Sequence, residues 1–256
     1  MKLNGNTIFI TAGTSGIGLG LAEEFHRRGN QVIIGGRRKA LLDTITKAYP
    51  GMSAVEVDVS DPEQITNTAG KLIRQYPALN VLINNAGMMP FDDAAGMVDD
   101  DMAIRLVNTN LLGPVRMTGA LIEHLKQQRE AYVINNSSVT AFIPMATFAL
   151  YSATKAAVHS YTLSQRFALR GTHVKVLEIA PPWVDTDLVY KSGDPRAMQL
   201  GPFIAETMVQ LETSTTEVIV EAARPLRDGA GPNEHGFVNQ LNQMFIDDPL
   251  PTPSYV

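Results

Sequence analysis

Four polar residues have types and spacings that suit a proton-transfer site. Tyr151 and Lys155 lie four apart, Ser138 lies thirteen residues before the tyrosine, and Asn110 begins an Asn-Leu-Leu-Gly run further upstream. Residues four apart share one face of a helix, so the ammonium can sit beside the phenol. A tyrosine titrates near ~10 when unperturbed, and a unit charge about 4 Å away at an effective dielectric of ~20 is worth roughly 4 kcal/mol, or about three pKa units at most. The sequence therefore predicts a phenol that exchanges protons near neutral pH.

A glycine-rich turn near the start of the chain has the pattern of a dinucleotide cradle. The run Thr7 to Thr11 is predicted as a buried strand that leads into the turn, and Leu19 to Arg28 has helical spacing. Glycines let a backbone approach a pyrophosphate, and a helix N-terminus offers N–H groups to an anion. We therefore expect the turn itself to contact the phosphates through Gly13, Thr14, Ser15, Gly16, Ile17 and Gly18.

Further apolar runs along the chain alternate with helical stretches. Strands are predicted at Thr7 to Thr11, Gln31 to Ile34, Ala54 to Val57, Val81 to Ile83, Ala131 to Ile134 and His173 to Ile179. Such alternation predicts a parallel sheet with helices on both faces. Because α/β folds of this length form one unit, we expect residues 1–256 to be a single domain.

Together these residues resemble the short-chain dehydrogenase/reductase family, in its single-domain branch. The matching motifs keep the family's order across nearly the whole chain: Thr11 to Gly18, Asp58-Val59, Asn84 to Gly87, Asn110 to Gly113, Ser138, Tyr151 to Lys155, and Pro181 to Thr186. The resemblance implies a Rossmann-type, doubly wound parallel sheet in a three-layer α/β/α sandwich. It also implies an oxidoreductase that uses a nicotinamide dinucleotide.

The resemblance implies a role for each polar residue of the site. Tyr151 would protonate the alkoxide that develops as a carbonyl is reduced, and Ser138 would donate a hydrogen bond to the same oxygen. Lys155 would lower the pKa of the phenol and hold the nicotinamide ribose. The thirteen-residue spacing to Tyr151 selects Ser138 over its neighbour Ser137.

Two asparagines compete for one further role, that of binding a water that relays protons from Lys155 towards solvent. Asn110 lies three residues before Gly113, as in the family, whereas the spacing of Asn108 does not fit. We therefore prefer Asn110.

The resemblance also implies cofactor contacts outside the glycine turn. Asp58 would meet the adenine amino group, with a strand-end turn as the alternative reading of this residue. Val184 backbone and the Thr186 side chain would meet the nicotinamide carboxamide. The remaining expected contacts are Val59, Asn85, Ala86, Gly87, Tyr151, Lys155 and Pro181.

The residues after the second strand bear on the choice of cofactor. A fold that prefers NAD usually carries an acid there to hold the ribose hydroxyls, whereas this chain has Gly36 followed by Arg37 and Arg38. A guanidinium can grip a 2′-phosphate with two hydrogen bonds, so NADP(H) is the predicted cofactor. The alternative is that both arginines are solvated loop charges.

The chain departs from the family pattern in three places. Ala12 stands where the first glycine of the turn is usual, so either Gly13 takes a strained backbone conformation or cofactor binding is weakened. The chain ends Phe245 to Pro251 without the usual glycine pair of the last strand, which puts that strand and any subunit contact there in doubt. This ending, with Pro181-Pro182, resembles a bacterial subgroup related to the oxidoreductase encoded with lipoteichoic acid D-alanylation genes, and assigns no substrate.

Composition excludes several other functions. A net charge of -5 argues against a nucleic-acid partner, whose phosphates demand a basic surface. With no cysteine and no histidine pair at ligand spacing, metal binding is unsupported. The acids Asp99 to Asp101 are better explained as charges at a helix N-terminus before the periodic run Met102 to Leu112. No run is long enough to span a membrane and no secretory signal is visible, so we expect a cytoplasmic protein without a membrane partner.

The expected substrate is a small carbonyl compound of hydrophobic character. Pro and Gly gather after the sixth strand, and we expect a substrate loop around 182–205. The side chains expected in the pocket are mostly apolar, with core packing as the alternative for each: Met88, Met89, Phe91, Phe142, Met145, Trp183, Leu188, Val189, Tyr190, Met198 and Phe203. The sequence thus predicts an NADPH-dependent carbonyl reductase. The alternatives are an alcohol dehydrogenase acting oxidatively and a non-catalytic NADP(H)-binding regulator.

Apolar residues extend around more of the segment Tyr151 to Leu169 than one core-facing stripe needs. They are Ala153, Ala156, Ala157, Tyr161, Leu163, Phe167 and Ala168. Small alanines permit close approach to a second copy, so a homodimer or homotetramer is predicted. Burial of this face by the chain's own loops is the alternative.

Overall fold

A parallel β-sheet runs through the centre of the molecule, in a computed structural model that describes residues 1–251. Its strands are β1 (Thr7–Ile10), β2 (Gln31–Gly36), β3 (Ser53–Glu56), β4 (Leu79–Asn84), β5 (Ala131–Asn136), β6 (Val174–Ile179) and β7 (Glu217–Val218). They lie in the order β3-β2-β1-β4-β5-β6-β7, and every neighbouring pair is parallel. The chain crosses from one edge to the middle of the sheet between β3 and β4, which confirms the doubly wound fold.

Helices cover both faces of this sheet. They are α1 (Gly16–Arg27), α2 (Lys39–Ala48), α3 (Pro62–Gln75), α4 (Asp100–Val107), α5 (Gly113–Lys126), α6 (Ala149–Ala168), α7 (Leu200–Thr213), α8 (Arg224–Asp228) and α9 (Glu234–Asp247). Residues of α1, α2 and α7 pack in one apolar core, and residues of α3 and α5 pack in another. The result is the predicted three-layer α/β/α sandwich.

The two cores arise from the alternation of side chains along each strand. In β1, Ile8 and Ile10 point to the core under α1, whereas Phe9 points to the core under α3. All three side chains are fully buried. Because successive side chains of a strand point to opposite faces, a strand covered on both sides must be apolar throughout, and this is the pattern from which the strands were predicted.

Most predicted elements are confirmed, with shifted ends. The predicted helix Met102 to Leu112 is split into α4 and a π-helical turn, Asn108–Leu112, that leads directly into α5. Asp99 caps α4 by accepting a hydrogen bond from the Met102 N–H at 3.0 Å, which confirms the interpretation of the acidic run as helix N-terminal charges.

The carboxyl-terminal part of the chain differs most from the sequence-based expectations. The short strand β7 was not predicted, and the residues after it form α8 and α9. The predicted substrate loop contains a 3₁₀ turn, Asp187–Val189, and a bridge between Val184 and Met198, and its last part belongs to α7. Within residues 1–251, no helix is both long enough and apolar enough to cross a bilayer.

Candidate active site

Three of the predicted catalytic side chains lie together at the carboxyl end of the sheet. Tyr151 and Lys155 project from α6, and Ser138 follows the end of β5; all three are buried. The Lys155 ammonium donates a hydrogen bond to the Asn136 carbonyl at 2.8 Å and lies 5.5 Å from the centre of the Tyr151 ring. Ser138 forms a hydrogen bond with the phenol and accepts one from the Thr140 N–H at 3.1 Å. Ser138, the serine chosen by spacing, is therefore the one next to the phenol, whereas Ser137 Oγ donates to Glu178.

Burial dominates the protonation of this group. It raises the pKa of Tyr151 to about 12, and the hydrogen bond from Ser138 opposes the shift. Burial also lowers the pKa of Lys155 to about 8, while the charge of Glu178 acts in the opposite direction. The structure therefore differs from the expectation that the phenol titrates near neutrality, because desolvation outweighs the hydrogen bond with Ser138. Tyr151 keeps its proton at neutral pH.

Asn110 occupies the π-helical turn between α4 and α5. Its Oδ1 accepts a hydrogen bond from the Met88 N–H at 2.9 Å, and its Nδ2 donates to the Met88 carbonyl at 2.9 Å and to Thr154 Oγ1 at 3.2 Å. A Cβ added at Gly87 would lie 3.6 Å from Asn110 Oδ1 and 3.7 Å from Lys155 Nζ, so these two polar atoms flank the same glycine.

The competing asparagine faces elsewhere. Asn108 Oδ1 accepts a hydrogen bond from Arg116 at 3.1 Å, and that guanidinium also donates to the Ser60 carbonyl at 3.4 Å. The π-helical turn adds one residue to the helical repeat, which is how it rotates Asn110 rather than Asn108 towards α6.

The glycine turn connects β1 to α1 as predicted, but a different residue bears the strain. Ala12 adopts the left-handed conformation with φ of 52°, as does Gly16, while Gly13 does not. The interpretation in which Gly13 takes the strained conformation is therefore wrong. Gly13 is required for another reason, since a Cβ there would lie 2.6 Å from the Ile34 Cγ2. A Cβ at Gly18 would lie 2.4 Å from the Ala12 carbonyl oxygen, so the turn closes tightly on the helix.

The turn is supported from behind by β4. Thr11 Oγ1 accepts hydrogen bonds from the N–H groups of Asn85 at 2.9 Å and Ala86 at 3.0 Å. Asn85 Nδ2 donates to the carbonyls of Thr11 and Ala12, and Asn136 Nδ2 donates to Asn85 Oδ1 at 2.8 Å. The Ala86 N–H is thus used within the protein, and Asn85 links the glycine turn to the strand end that holds Lys155.

These residues fit a bound dinucleotide. Ser15 precedes α1 without a side-chain capping bond, and the first turn of the helix has no acidic residue. A Cβ at Gly16 would lie 3.2 Å from Thr186 Cβ, so only glycine leaves a gap between the turn and this threonine. An uncapped helix N-terminus without carboxylates suits a phosphate.

The two arginines after β2 have different surroundings. The Arg38 guanidinium donates to Thr14 Oγ1 at 2.9 Å and to Ser15 Oγ at 3.0 Å, so it lies on the glycine turn. Arg37 is largely exposed and lies 3.7 Å from Asp58 Oδ2. Asp58 itself accepts hydrogen bonds from the backbone and hydroxyl of Ser60, the turn role that was the alternative for it. Of the two arginines, Arg38 is therefore the one that contacts the glycine turn.

A cavity of about 850 Å³ joins the glycine turn to Tyr151. The predicted site residues that line it are Ser15, Gly16, Ile17, Arg37, Arg38, Asn85, Gly87, Ser138, Tyr151, Lys155, Pro181, Val184 and Thr186. The other predicted residues do not line it: Gly13, Thr14, Gly18, Asp58, Val59, Ala86 and Asn110. Two of them contact wall residues, since Thr14 accepts a hydrogen bond from Arg38 and Asn110 accepts one from Met88.

Most of the predicted pocket side chains line this cavity, but three aromatic ones do not. Phe203 is buried in the core under α7, which was its alternative. Phe142 packs edge-on against His159, with ring centres 4.8 Å apart. Phe91 stacks on Phe148, with ring centres 4.6 Å apart. The remaining eight are wall residues: Met88, Met89, Met145, Trp183, Leu188, Val189, Tyr190 and Met198.

The carboxyl-terminal segment 244–250 also contributes to this cavity, which was not predicted from the sequence. Met244, Phe245 and Leu250 line it, and the buried Leu250 packs in one cluster with Tyr151. Arg196 holds the segment by an ion pair with Asp248 at 2.9 Å and a hydrogen bond to the Asp248 carbonyl. No local motif marks these residues, because their partners lie about fifty positions away.

One histidine lies near two carboxylates, away from the cavity. Ligand atoms of His159, Glu178 and Glu217 fall within 4.8 Å of one another. Arg227 donates to both oxygens of Glu217 at 3.1 Å, and His159 Nδ1 is 2.8 Å from Glu178 Oε2. The Arg227 guanidinium therefore already balances the charge of Glu217.

Comparison with known proteins agrees with this site. Residues 6–197 match the family model described as short chain dehydrogenase. The uncharacterized oxidoreductase DltE of Bacillus subtilis is 36% identical over 252 residues, covering 94% of this chain and 98% of the relative. This likeness confirms the resemblance to the oxidoreductase of D-alanylation operons. An NADP-dependent 3-hydroxy acid dehydrogenase of Schizosaccharomyces pombe is 27% identical over 259 residues, covering 93% of this chain and 99% of the relative.

Solved structures have the same fold. A short chain dehydrogenase from Burkholderia cenocepacia in complex with NADP aligns with a TM-score of 0.83 at 25% identity, covering 94% of this chain and 99% of that one. A 3-ketoacyl-(acyl-carrier-protein) reductase from Brucella melitensis complexed with NADH aligns with a TM-score of 0.80 at 24% identity, covering 87% of this chain and 99% of that one. With the family match over most of its length and a tyrosine, lysine and serine gathered beside a glycine turn, this chain belongs to the short chain dehydrogenase family of oxidoreductases.

Proposed function

We propose that this protein is an NADP(H)-dependent carbonyl reductase that converts a ketone or aldehyde of a hydrophobic small molecule to an alcohol. The observation that carries the proposal is the setting of Tyr151. Its buried phenol has a hydrogen bond with Ser138, has Lys155 close to its ring, and lines the cavity that begins at the glycine turn. Perturbed protonation of neighbouring groups inside one cavity is typical of catalytic sites.

In this mechanism Tyr151 is the general acid. A bound nicotinamide supplies the hydride that reduces the carbonyl carbon, and negative charge then develops on the carbonyl oxygen. Tyr151 donates its proton to that oxygen, and Ser138 donates a hydrogen bond to it, so both residues stabilise charge that is present in the transition state. The Lys155 ammonium stabilises the phenolate that remains, and Asn110 lies beside Lys155 where it can order a water for reprotonation.

The protonated phenol is the form from which a general acid acts in the reductive direction. A reductase needs a phenol that still holds its proton, and burial raises the pKa of Tyr151 to about 12. An enzyme acting oxidatively needs the ionised phenol as a base before the reaction begins. Ser138 and Tyr151 beside Lys155 in one cavity argue against the non-catalytic regulator, because a protein that only binds the cofactor does not need this set of proton-donating groups.

Support for NADP(H) comes from the charges near the glycine turn. Arg37 and Arg38 both line the cavity, and their strand ends in Gly36 rather than in an acid. A 2′-phosphate would find two guanidinium groups there and no carboxylate at the position that usually binds the ribose hydroxyls. Asp58 lies nearby, but its carboxylate accepts two hydrogen bonds from Ser60 and lies 3.7 Å from the Arg37 guanidinium.

The proposal for the substrate rests on the wall of the cavity beyond Tyr151. Methionines, Trp183 and the carboxyl-terminal residues Phe245 and Leu250 form this part, and Arg196 is paired with Asp194 and Asp248. A cavity lined by apolar groups with few unpaired charges binds an apolar ligand best. We therefore propose a hydrophobic carbonyl compound, bound under the segment 182–205.

We also propose that the chain acts as one catalytic domain in a homodimer or homotetramer. On α6 the side chains of Tyr161, Leu163 and Phe167 are exposed, as are Ala153 and Ala156, so the chain's own described loops do not cover this face. A cytoplasmic location stays a prediction from composition.

An initial-rate screen tests the proposal. Purified protein is given apolar ketones and aldehydes with NADPH or NADH, and apolar alcohols with the oxidised cofactors, while absorbance of the reduced nicotinamide is followed. We expect turnover of at least one apolar carbonyl compound with NADPH, and little with NADH. Binding of NADPH without turnover of any carbonyl or alcohol would support the regulator instead.

A further inference from the structure

A carboxylate lies deep in the protein directly behind the catalytic residues. Glu178 is on β6 and is fully buried. Its Oε1 accepts a hydrogen bond from Ser137 Oγ, and its two oxygens lie 2.8 and 3.1 Å from His159 Nδ1. Burying a charge is expensive unless partners satisfy it, and this carboxylate has a partner on each of two elements.

The first partner belongs to the strand end that carries the site. Ser137 stands between Asn136, whose carbonyl accepts the Lys155 hydrogen bond at 2.8 Å, and Ser138, which contacts the phenol. The Ser137 N–H also donates to the Ile179 carbonyl at 2.8 Å. Glu178 and its neighbour on β6 therefore hold this strand end through both side chain and backbone.

The second partner belongs to the catalytic helix. His159 lies four residues after Lys155 and eight after Tyr151, so the three side chains follow one face of α6. Glu178 thereby connects the helix that carries Tyr151 and Lys155 to the strand end next to Ser138. Relative movement of these two elements would separate the phenol from the serine.

A further cation lies near Glu178, the Arg227 guanidinium, and its hydrogen bonds go to a different acid. From α8, Arg227 stacks over Phe142 at 4.4 Å and donates to both oxygens of Glu217 on β7. Asp228, beside Arg227, adds a second negative charge there. The guanidinium interacts first with Glu217 and more weakly with Glu178 and Asp228, and from α6 the groups that act on or contact Glu178 are His159 and Lys155.

We propose that Glu178 is a positioning residue for the reaction: its carboxylate holds Ser137 and His159 so that Ser138 stays against Tyr151. This role rests on the proposed function, because it matters for catalysis only if Tyr151 and Lys155 act in reduction. A side effect of the same buried carboxylate, the support that its charge gives to the ammonium form of Lys155, is the electrostatic role; it does not depend on turnover and is tested without substrate.

The direct test is the titration of Lys155 in the full chain. The ¹³Cε signals of labelled lysine are followed against pH in the wild type, in Glu178→Gln and in Glu178→Asp, and the signal is assigned with Lys155→Arg. We expect the Lys155 pKa to fall by about half a unit or more in Glu178→Gln, which keeps the shape but loses the charge. In Glu178→Asp, which keeps the charge, it should stay near the wild-type value. An unchanged titration in Glu178→Gln would overturn the electrostatic role.

The positioning part has its own variants. His159→Leu removes the donor on α6, whereas His159→Asn retains a donor at the same distance from the backbone. We expect kcat to fall at least tenfold in His159→Leu with the Lys155 titration not lowered, and to recover substantially in His159→Asn. Equal kcat in His159→Leu and the wild type would overturn the positioning role. Thermal melting shows whether Glu178→Gln folds. If it does not, the two His159 variants test the proposal instead, because a lowered Lys155 pKa in His159→Leu would contradict it.

The two proposals fail in distinguishable ways. A Tyr151→Phe variant with full turnover would refute the catalytic assignment and leave the Lys155 titrations unaffected. An inactive Tyr151→Phe variant, together with unchanged titrations in Glu178→Gln and wild-type kcat in His159→Leu, would refute the role of Glu178 alone.

Discussion

Arg37 and Arg38 should contribute to cofactor binding in different ways. Arg38 donates to Thr14 at 2.9 Å and to Ser15 at 3.0 Å, so its removal also frees two hydroxyls of the glycine turn. Arg37 has a single ion pair at 3.7 Å with Asp58, and its side chain is 76% exposed. Because an exposed pair of this kind is worth about 0–1 kcal/mol, replacing Arg37 disturbs little besides a contact to the ligand.

These contacts set the expected magnitudes. A hydrogen bond to a charged group contributes ~1.5–3 kcal/mol, which corresponds to roughly ten- to hundredfold in a dissociation constant. Arg37→Ala should weaken NADPH by about that factor and leave NADH nearly unchanged. Arg38→Ala should weaken NADPH at least as much, and should also weaken NADH several-fold because loss of the turn hydrogen bonds costs about 1 kcal/mol.

The assay is a fluorescence titration of each variant and of the double variant with both reduced cofactors. Arg27→Ala is the matched control, since Arg27 is an exposed arginine on α1 that pairs with Glu24 and does not line the cavity. If the ratio of NADPH to NADH affinity is unchanged in Arg37→Ala, in Arg38→Ala and in the double variant, the assignment of a 2′-phosphate site is refuted.

Three further outcomes are expected. Ala12→Gly should stabilise the protein by about 0.5–1 kcal/mol in thermal melting. A left-handed alanine costs ~1–2 kcal/mol, and part of this gain is lost because glycine makes the unfolded chain more flexible. The control Ala40→Gly in α2 should destabilise the protein, and equal effects of the two substitutions would contradict the strain at Ala12. In reduction, kcat/KM should fall as pH rises through about 8, where Lys155 loses its ammonium rather than near the ordinary 10.5, and a flat profile to pH 10 would contradict this. Sedimentation should give a mass of at least twice 27.8 kDa, and a fully active 27.8 kDa species at micromolar concentration would rule out the oligomer that we propose from exposed Leu163 and Phe167.

Local pattern was sufficient to predict the strands β1 to β6 and part of the cavity wall. The central strands carry buried apolar side chains on both faces, such as Ile8 and Phe9 in β1, so their sequences differ clearly from those of the amphipathic helices. The glycine turn and the Tyr151 to Lys155 pair are short segments whose geometry follows from spacing alone. A parallel sheet then brings the ends of its strands to one edge, which is why distant motifs meet.

Features that depend on long-range packing were not predictable in the same way. Phe203 and Met198 are both apolar residues of one segment, yet only the structure shows that the first is in the core and the second in the cavity. The position of Leu250 over the site depends on the ion pair that Arg196 makes with Asp248. No residue near either end of that contact signals it.

Two errors have a common physical cause. The pKa of Tyr151 was expected to fall because its lysine neighbour is visible in the sequence, whereas the burial that raises it is not. Likewise, the alternative in which Gly13 takes the left-handed conformation fails because the backbone places Ala12 in it. Spacing along the chain shows which groups are neighbours, but not how deeply they are buried or how closely backbones approach.

The central claim is that Tyr151 is the general acid of a carbonyl reduction, and Tyr151→Phe tests it most directly. The substitution removes one hydroxyl and leaves the ring that packs with Leu106, Phe148 and Leu250. With NADPH and a carbonyl substrate found in the screen, we expect kcat to fall by at least ~100-fold while the NADPH dissociation constant stays within a few-fold of the wild-type value. Turnover by Tyr151→Phe at the wild-type rate would contradict the mechanism.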